Sequence, residues 1–191
     1  MTLPQCIDEY YTYADFLKWN DSVRYELIAG APAMMAPPSI AHQAISGELY
    51  LQIANFLKGR PCKVFHAPVA VRLNAETSDD TVLQPDIVVV CDRSMLDDKS
   101  IKGAPDMVIE ILSPSTATRD KVVKFNQYLS AGVREYWIVY PDSKTVSVHV
   151  LKDGEYFTRA YAGTDAVPVH VLAGCTISLP DVFADAGTTD E

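Results

Sequence analysis

The clearest pattern of apolar and polar positions in this chain is a pair of short apolar runs between residues 82 and 128. The runs Ile87–Cys91 and Met107–Leu112 are rich in Val and Ile, and Pro, Asp and Gly bound them. Runs of this length and composition are typical of buried β-strands. The polar stretch 92–103 between them predicts the loop that would connect two neighbouring strands.

Apolar residues at helical spacing predict two longer helices. Ser39 caps the first, which runs to about Leu57. Thr116 or Thr118 caps the second, which runs from about 119 to 130. The predicted buried stripes are Ile45, Leu49, Ile53 and Phe56 in the first helix, and Val122, Phe125 and Leu129 in the second.

The rest of the chain predicts one shorter helix and several more strands. Thr12 and Asp15 have the spacing of a capping box and open the short helix. Asp153-Gly154 is a strong hairpin signal. The predicted strands span residues 23–28, 33–36, 63–73, 135–140, 145–151 and 156–161. Helices and strands in this order predict an α/β or α+β fold in which helices flank a mixed β-sheet.

Composition and length limit the class of protein. A chain of 191 residues that is 48% hydrophobic can bury one good core, so we expect residues 1–191 to form a single domain. No apolar run approaches the roughly 20 residues that a membrane span needs, and the N-terminus lacks the pattern of a signal peptide. We therefore expect a cytoplasmic protein that does not associate with membranes.

The four cysteines are widely spaced and include no C-x-x-C pair. They are Cys6, Cys62, Cys91 and Cys175. Nothing in this spacing indicates a zinc site, and a free cysteine behaves as a small buried apolar residue. We interpret all four as buried free thiols.

The formal net charge is −9, which argues against a protein that coats nucleic acid without specificity, since such proteins are basic. The charge is uneven along the chain. Residues 101–140 contain five basic and four acidic side chains, a net charge of +1, which leaves −10 for the remaining residues. This least acidic segment is compatible with a phosphate-bearing substrate.

Each of the two apolar runs carries one carboxylate for which a buried strand has no structural use. Asp86 precedes the first run, and Glu110 lies inside the second. If the strands pair antiparallel around a loop centred on Asp98, the numbers of opposed residues add to 196, and Asp86 lies opposite Glu110. Their Cβ atoms would be roughly 4.5–5.5 Å apart. Asp106, four residues before Glu110, is expected to be a strand-end residue.

Two carboxylates at that separation repel each other unless a cation or a proton lies between them. Mg²⁺ and Mn²⁺ prefer such hard oxygen ligands, so the pair Asp86 and Glu110 predicts a divalent metal site. Each residue also has an ordinary structural interpretation. Asp86 could cap a turn, and Glu110 could form a buried salt bridge with a lysine or an arginine.

Lys121, Lys124 and Tyr128 lie at positions i, i+3 and i+7 of the second helix, on a face separate from its apolar stripe. A lysine beside a metal site can hold a water or a phosphate oxygen and stabilise developing charge, which makes Lys124 the third candidate. Lys121 and Tyr128 would support the site or contact phosphate. The alternative for Lys124 is an exposed salt bridge with Asp120, four residues earlier.

Several segments of this sequence, taken in order, are similar to those of the restriction endonuclease family with the PD-(D/E)xK nuclease core. They are QPDIVVV at 84–90, PDMVIEILSPST at 105–116, DKVVK at 120–124 and YLSAGVREYW at 128–137. RYELIAG at 24–30 and SIAH at 39–42 fit the same family, so the resemblance covers about residues 12–183. It implies a restriction-endonuclease-like fold, a Mg²⁺ or Mn²⁺ ion held by Asp86 and Glu110, and hydrolysis of phosphodiester bonds in DNA.

The resemblance also implies that Glu26 faces the site, although a strand residue there could equally lie on the solvent face. His42 shares a helix face with the apolar stripe, which is typical of a histidine at the edge of a core; it could instead support a ligand or contact phosphate. The nuclease signature places a lysine two residues after the glutamate, where this chain has Leu112. The family pattern therefore assigns that role to Lys124.

These residues predict a Mg²⁺-dependent endodeoxyribonuclease. Asp86 and Glu110 would bind the metal, Lys124 would position the attacking water, and Glu26 would act as a further ligand or base. Two alternatives stay open. One is a catalytically silent relative that serves as a binding or assembly module, which the negative charge and Leu112 favour. The other is a hydrolase of small phosphate esters.

We also expect a homodimer. The strands after Gly132 carry more exposed-looking aromatic residues than one small sheet needs, and aromatic residues are enriched at interfaces. A nuclease that cuts both strands of DNA also benefits from two-fold symmetry. The aromatic residues are Tyr136, Tyr140, Tyr156, Phe157 and Tyr161.

Overall fold

A computed structural model of the chain describes residues 9–19, 23–113 and 119–185. The α-helices are α1 (Tyr13–Phe16), α2 (Ile40–Leu57), α3 (Phe125–Ala131) and α4 (Leu179–Val182). A 3-10 turn (Arg93–Met95) and a π-helix (Arg119–Lys124) are the other helical segments of these ranges. Within the described residues, no helix combines the length and the apolar character needed to cross a lipid bilayer.

The strands form two larger sheets and a small one. Their bounds are β1 (Tyr25–Ile28), β2 (Ala31–Met34), β3 (Lys63–His66), β4 (Ala70–Arg72), β5 (Val82–Leu83), β6 (Ile87–Val90), β7 (Ser100–Lys102), β8 (Met107–Ile111), β9 (Glu135–Tyr140), β10 (Thr145–Lys152), β11 (Glu155–Ala162), β12 (Ala166–Pro168) and β13 (Thr176–Ser178). The main sheet has the order β11-β10-β9-β8-β6-β3, and the second sheet has the order β2-β1-β5-β4-β7. β8 and β9 run parallel, whereas the other neighbours in the main sheet are antiparallel, so the main sheet is mixed.

Helix α2 covers one face of the main sheet, and the second sheet and α3 cover the other. The predicted stripe of α2 packs against Ile87 and Ile109 of the main sheet. Val88 and Val108 point to the opposite face and belong to a separate core with residues of the second sheet and α3. The predicted α/β fold with a mixed sheet flanked by helices is therefore confirmed.

The antiparallel pairing of β6 with β8 places the two predicted carboxylates side by side. Ile87 pairs with Ile109, so the numbers of opposed residues add to 196, as predicted. Asp86, immediately before β6, therefore lies at the level of Glu110. Every residue of both strands is buried, because layers cover both faces of the main sheet.

The chain crosses from the second sheet to the main sheet between β5 and β6. Gln84, Pro85 and Asp86 form this connection, and Pro85 has no N–H group to donate to either sheet. Gln84 binds back to β1, because its Nε2 atom donates to the Tyr25 carbonyl oxygen at 2.8 Å. The connection thus ties β6, an inner strand of the main sheet, to the second sheet.

The single long strand predicted for residues 63–73 is wrong. β3 ends at His66 in the main sheet, and β4 begins at Ala70 in the second sheet. Pro68 lies between them and lacks the N–H donor that a continuous strand would need. The apolar alternation continues across the break, so periodicity alone does not reveal it.

The second predicted helix begins as the π-helix and continues as α3. Its predicted apolar stripe is wrong at Val122, which is 55% exposed, whereas Lys124 and Tyr128 are 3% and 0% exposed. A π-helix makes wider turns than an α-helix, so α-helical spacing misassigns the face that points inward. Thr116 and Thr118, the predicted caps, lie outside the described residues.

Two of the four cysteines form a disulfide, so the interpretation of all four as free thiols is wrong. The bond joins Cys62 and Cys91. β3 and β6 pair antiparallel with Lys63 opposite Val90, so the next residues outward, the two cysteines, are also opposed. Cys175 is a buried free thiol, as predicted, and burial raises its pKa to about 11. The fourth cysteine lies outside the described residues.

The aromatic residues behind the homodimer prediction are largely interior. The exposed fractions are 0% for Tyr136, 7% for Tyr161 and 58% for Phe157. Tyr136 and Tyr156 pack with Phe125 and His149 in a cluster of rings. The homodimer therefore stays a prediction, and these residues no longer support it.

Candidate active site

A cavity of about 90 Å³ opens beside the connection between β5 and β6. It has room for a few water molecules or for one hydrated cation. Side chains from both sheets, from α2 and from the π-helix line it. The charged or ionisable ones are Arg24, Glu26, His42, Asp86, Glu110 and Lys124. All except Arg24 are residues that the sequence predicts for the site.

Glu110 lies in β8 with 4% of its surface exposed and is held by two donors. Lys124 Nζ lies 2.9 Å from its Oε1 atom, and the Tyr128 hydroxyl donates to the same oxygen at 2.7 Å. Burial, and then the charges of Glu110 and Glu26, raise the pKa of Tyr128 well above its ordinary value. The phenol therefore keeps its proton at physiological pH and acts as a donor to Glu110.

Lys124 joins Glu110 to a second buried carboxylate, Glu26 of β1. The Lys124 Nζ–Glu26 Oε1 distance is 2.8 Å, and none of the three side chains is more than 5% exposed. The Gln84 backbone N–H also donates to Glu26 Oε1, at 2.9 Å. Glu26 therefore faces the site, as the resemblance implies. The Lys124 ammonium is buried, so the alternative prediction that it lies exposed on the helix surface is wrong; the side chain of Asp120 lies outside the described residues.

Asp86 lies between a backbone donor and a histidine, with its side chain 17% exposed. Its Oδ2 atom accepts the Ile111 N–H at 2.7 Å and is 3.2 Å from His42 Nε2. Ser39, the N-cap of α2, accepts the His42 backbone N–H with its Oγ atom at 3.1 Å and fixes the first turn. His42 therefore contacts a carboxylate of the cavity, and its role as the support of a metal ligand or as a phosphate contact stays a prediction.

The donor set fits a divalent cation of the Mg²⁺ type. Three carboxylates line the cavity together with two cationic side chains, Arg24 and Lys124, which leaves one negative charge when His42 is neutral. Among the described residues, no group of three His, Cys, Asp or Glu side chains is arranged to hold an ion. Mg²⁺, however, commonly uses one or two carboxylates and completes its octahedron with waters and substrate phosphate oxygens. The Asp86–Glu110 pair fits that pattern.

Two other predicted positions, Asp106 and Leu112, do not add to this cluster, and the side chain of a third, Lys121, is not described. The side chain of Lys121 lies outside the described residues, so its role stays a prediction. Asp106 lies at the far end of β8, where it accepts the Cys91 N–H at 2.5 Å and pairs with Arg134. It is a strand-end residue, as predicted. Leu112, at the position of the signature lysine, is 8% exposed and packs in an apolar core.

Two further residues that line the cavity, Arg24 and Gln84, were not predicted for the site. Arg24 Nη2 donates to Gln84 Oε1 at 2.9 Å. Arg24 lies two residues before Glu26, and residues two apart point to the same side of a strand. The prediction that Glu26 faces the site therefore also indicates Arg24. The role of Gln84 depends on the contact between β1 and the β5–β6 connection, which no local pattern shows.

The chain is similar to one family model and to two further proteins. Residues 8–180 match the model of the Uma2 family, described as "Putative restriction endonuclease". An uncharacterized protein from Synechocystis sp. is 27% identical over 155 residues, which cover 79% of this chain and 80% of that protein. The crystal structure of a putative nuclease belonging to DUF820 from Anabaena variabilis has a TM-score of 0.74 and 26% identity, covering 91% of this chain and 98% of its own. The mixed α/β architecture is therefore shared with the Anabaena protein.

Proposed function

The chain belongs to the Uma2 family of putative restriction endonucleases, and on that basis we propose that it is a Mg²⁺-dependent endodeoxyribonuclease. One observation carries the proposal: Lys124 joins the buried carboxylates Glu26 and Glu110 at the same cavity that Asp86 lines. Burying three charged groups has a large desolvation cost, so a buried ion pair is weak evidence for stability. Such a cluster in a cavity is better explained by chemistry.

In this proposal Asp86 and Glu110 hold the divalent ion, Mg²⁺ or Mn²⁺. When bound, the ion activates a water for attack and offsets the negative charge of the phosphate. His42 and the Ile111 N–H orient the Asp86 carboxylate, and the Tyr128 hydroxyl orients that of Glu110. Donors of this kind fix the direction of a ligand and are a regular feature of metal sites.

Lys124 supplies a positive charge from the chain itself to the reaction. A fixed ammonium in a site with little water stabilises the negative charge that develops on the phosphate during attack. Glu26 positions this ammonium, because its Oε1 atom lies 2.8 Å from Lys124 Nζ and also accepts the Gln84 N–H. We favour this positioning role for Glu26 over the roles of ligand or base, since that oxygen already has two donors.

Nicking of supercoiled plasmid DNA tests the proposal. Wild-type protein with Mg²⁺ or Mn²⁺ is expected to convert the plasmid to open circles, and EDTA is expected to stop the reaction. Asp86→Asn keeps the size of the side chain and an oxygen for the Ile111 N–H but removes the charge that the metal needs. Its nicking rate should fall by about 10²–10³-fold, as when a group that stabilises transition-state charge is lost.

Asp106→Asn is the matched control, because it makes the same change near the other end of β8, outside the cavity. This variant should nick plasmid at the wild-type rate. Equal rates for wild type and Asp86→Asn would contradict the proposed metal site.

A binding module without catalysis is the second candidate, and one observation favours it. Lys124 already pairs with both Glu26 and Glu110, so these carboxylates share a cationic partner within the chain. Wild-type protein that binds duplex DNA but nicks no plasmid with any divalent metal would favour this candidate over the nuclease.

A further inference from the structure

Arg24 presents to the cavity a cationic group that forms no ion pair with any carboxylate of the described chain. Its Nη2 atom donates to the neutral amide oxygen of Gln84 at 2.9 Å. Its Nε atom is enclosed, and no acceptor among the described residues forms a hydrogen bond with it. The guanidinium is therefore anchored on one side and has an unused donor on another.

Gln84 holds the guanidinium in a defined position. Its own Nε2 atom donates to the Tyr25 carbonyl oxygen at 2.8 Å, and its backbone N–H donates to Glu26 Oε1 at 2.9 Å. These two bonds fix the amide so that its oxygen points toward Arg24. The backbone of Arg24 is also fixed, since its carbonyl oxygen accepts the Met35 N–H at 2.9 Å.

Arg24 differs from Lys124, the other cation of the cavity, in having no carboxylate partner among the described residues. An enclosed N–H without an acceptor is unfavourable and rare in folded proteins. The ammonium of Lys124 is already shared between Glu26 and Glu110. An anion that enters the cavity would therefore find its open cationic partner in Arg24.

We propose that Arg24 binds a phosphate group of the nucleic-acid backbone, with Nε and an Nη atom as two donors of its planar fork. Arginine recognises phosphate in this bidentate way, which the single ammonium of a lysine cannot reproduce. The assignment rests on the proposed function, because it takes this cavity as the place where the DNA backbone is cut. It adds the group that orients the phosphate opposite Asp86 and Glu110, whose charges would otherwise repel it.

Binding of a fluorescently labelled DNA duplex, measured by anisotropy over a range of salt concentrations with Ca²⁺ and with the duplex verified intact, tests the assignment. Arg24→Gln should bind about tenfold to a hundredfold more weakly than wild type, the loss expected for a charged hydrogen-bonded contact. The slope of log affinity against log salt should also become shallower by about 0.9, the value for one phosphate contact. A structural role for Arg24 would lower stability but leave this slope unchanged.

Two further variants complete the experiment. Arg24→Lys keeps the charge but loses the planar fork, so it should bind the duplex more weakly than wild type with the wild-type salt slope and the wild-type stability. If Arg24→Gln does not fold, wild-type affinity in Arg24→Lys would overturn the assignment. Arg134→Gln is the matched control, because Arg134 pairs with Asp106 outside the cavity. It should bind with the wild-type affinity and slope.

Each outcome separates this assignment from the proposed function. Wild-type affinity and slope in Arg24→Gln would overturn the assignment and leave the nuclease proposal standing. If Arg24→Gln loses affinity for the duplex while the wild-type protein cuts no DNA, the assignment is supported and the nuclease proposal is overturned. If the wild-type protein binds thymidine 5′-monophosphate as tightly as the duplex, the ligand is a small phosphate ester and the backbone assignment is overturned. A wild-type protein that binds no duplex would also overturn the assignment.

Discussion

Glu110 is surrounded by apolar residues of its own strand, yet its Oε1 atom receives donors from Lys124 and Tyr128. Lys124 connects it in turn to Glu26. Replacing a buried ion pair with apolar groups is often neutral or even stabilising, whereas removing one partner is strongly destabilising. At the scale of single residues, this cluster is therefore better explained by chemistry than by stability, and its members depend on one another.

Exchanging Lys124 should reveal this dependence. Lys124→Met leaves Glu26 and Glu110 without their cation and should lower the free energy of unfolding by about 3–5 kcal/mol. Adding Glu26→Gln should restore about 1 kcal/mol or more, because it removes one of the two uncompensated charges. In the wild-type background the same Glu26→Gln change should be destabilising, since it weakens the contact with Lys124.

Urea unfolding of the four proteins measures the effect. If Glu26→Gln were destabilising by the same amount with Lys124 and with Met at position 124, the proposed coupling would be wrong.

At the scale of helices and strands, local patterns predict the elements that obey them. The loop centred on Asp98 predicts the register of β6 and β8, which places Asp86 opposite Glu110. Ser39 and a stripe at helical spacing predict α2. The patterns fail where a local rule is interrupted: Pro68 divides one apolar alternation between two sheets, and a π-helix turns Lys124 inward.

The candidate site divides in the same way. Asp86 and Glu110 follow from the two apolar runs, Lys124 follows from its face of the second helix and from the family resemblance, and the resemblance adds Glu26. Gln84 was missed because its contact with Arg24 joins residues 60 positions apart in the sequence. Such pairs depend on which strands become neighbours, and a single sequence does not show this directly.

The ring cluster beneath α3 predicts a pH dependence of stability. His149 is 6% exposed, and burial lowers its pKa from 6.5 to about 4. Between these pH values the unfolded chain binds a proton that the folded chain does not, so stability is lost as the pH falls from about 6.5 to about 4. Phe125, the residue after Lys124, packs against this ring at 5.1 Å between centroids.

Urea unfolding at several pH values tests this. His149→Leu should have a shallower loss of stability across the window than wild type. His170→Leu, the same change at an exposed histidine, is the control and should follow wild type. Identical pH profiles for wild type and His149→Leu would contradict the expectation.

At the scale of the whole molecule, the candidate site lies where the two sheets meet. The second sheet contributes Glu26 through β1, the main sheet contributes Glu110 through β8, and the π-helix contributes Lys124. Because a fold alone does not determine a function, the convergence of these residues on one cavity is the observation that supports the proposal of phosphodiester hydrolysis. Mutations that loosen the packing between the sheets should therefore reduce activity even when they lie far from the cavity.

The homodimer is also a prediction at this scale. Its remaining support is the advantage of two-fold symmetry for an enzyme that cuts both strands of DNA. Light scattering at micromolar protein concentration should give a mass near twice the 21.0 kDa of the chain. A particle of 21.0 kDa at that concentration would count against the dimer.

Anomalous diffraction from crystals of the protein grown or soaked with Mn²⁺ tests most directly whether Asp86 and Glu110 form a metal site. If Asp86 and Glu110 hold the metal, the map should contain one Mn²⁺ peak in the cavity, with carboxylate oxygens of both residues about 2.0–2.2 Å from the ion. Crystals of Asp86→Asn treated in the same way should lack that peak, whereas crystals of Asp106→Asn should retain it. If wild-type crystals in saturating Mn²⁺ have no peak at these two carboxylates, the proposed metal site is wrong.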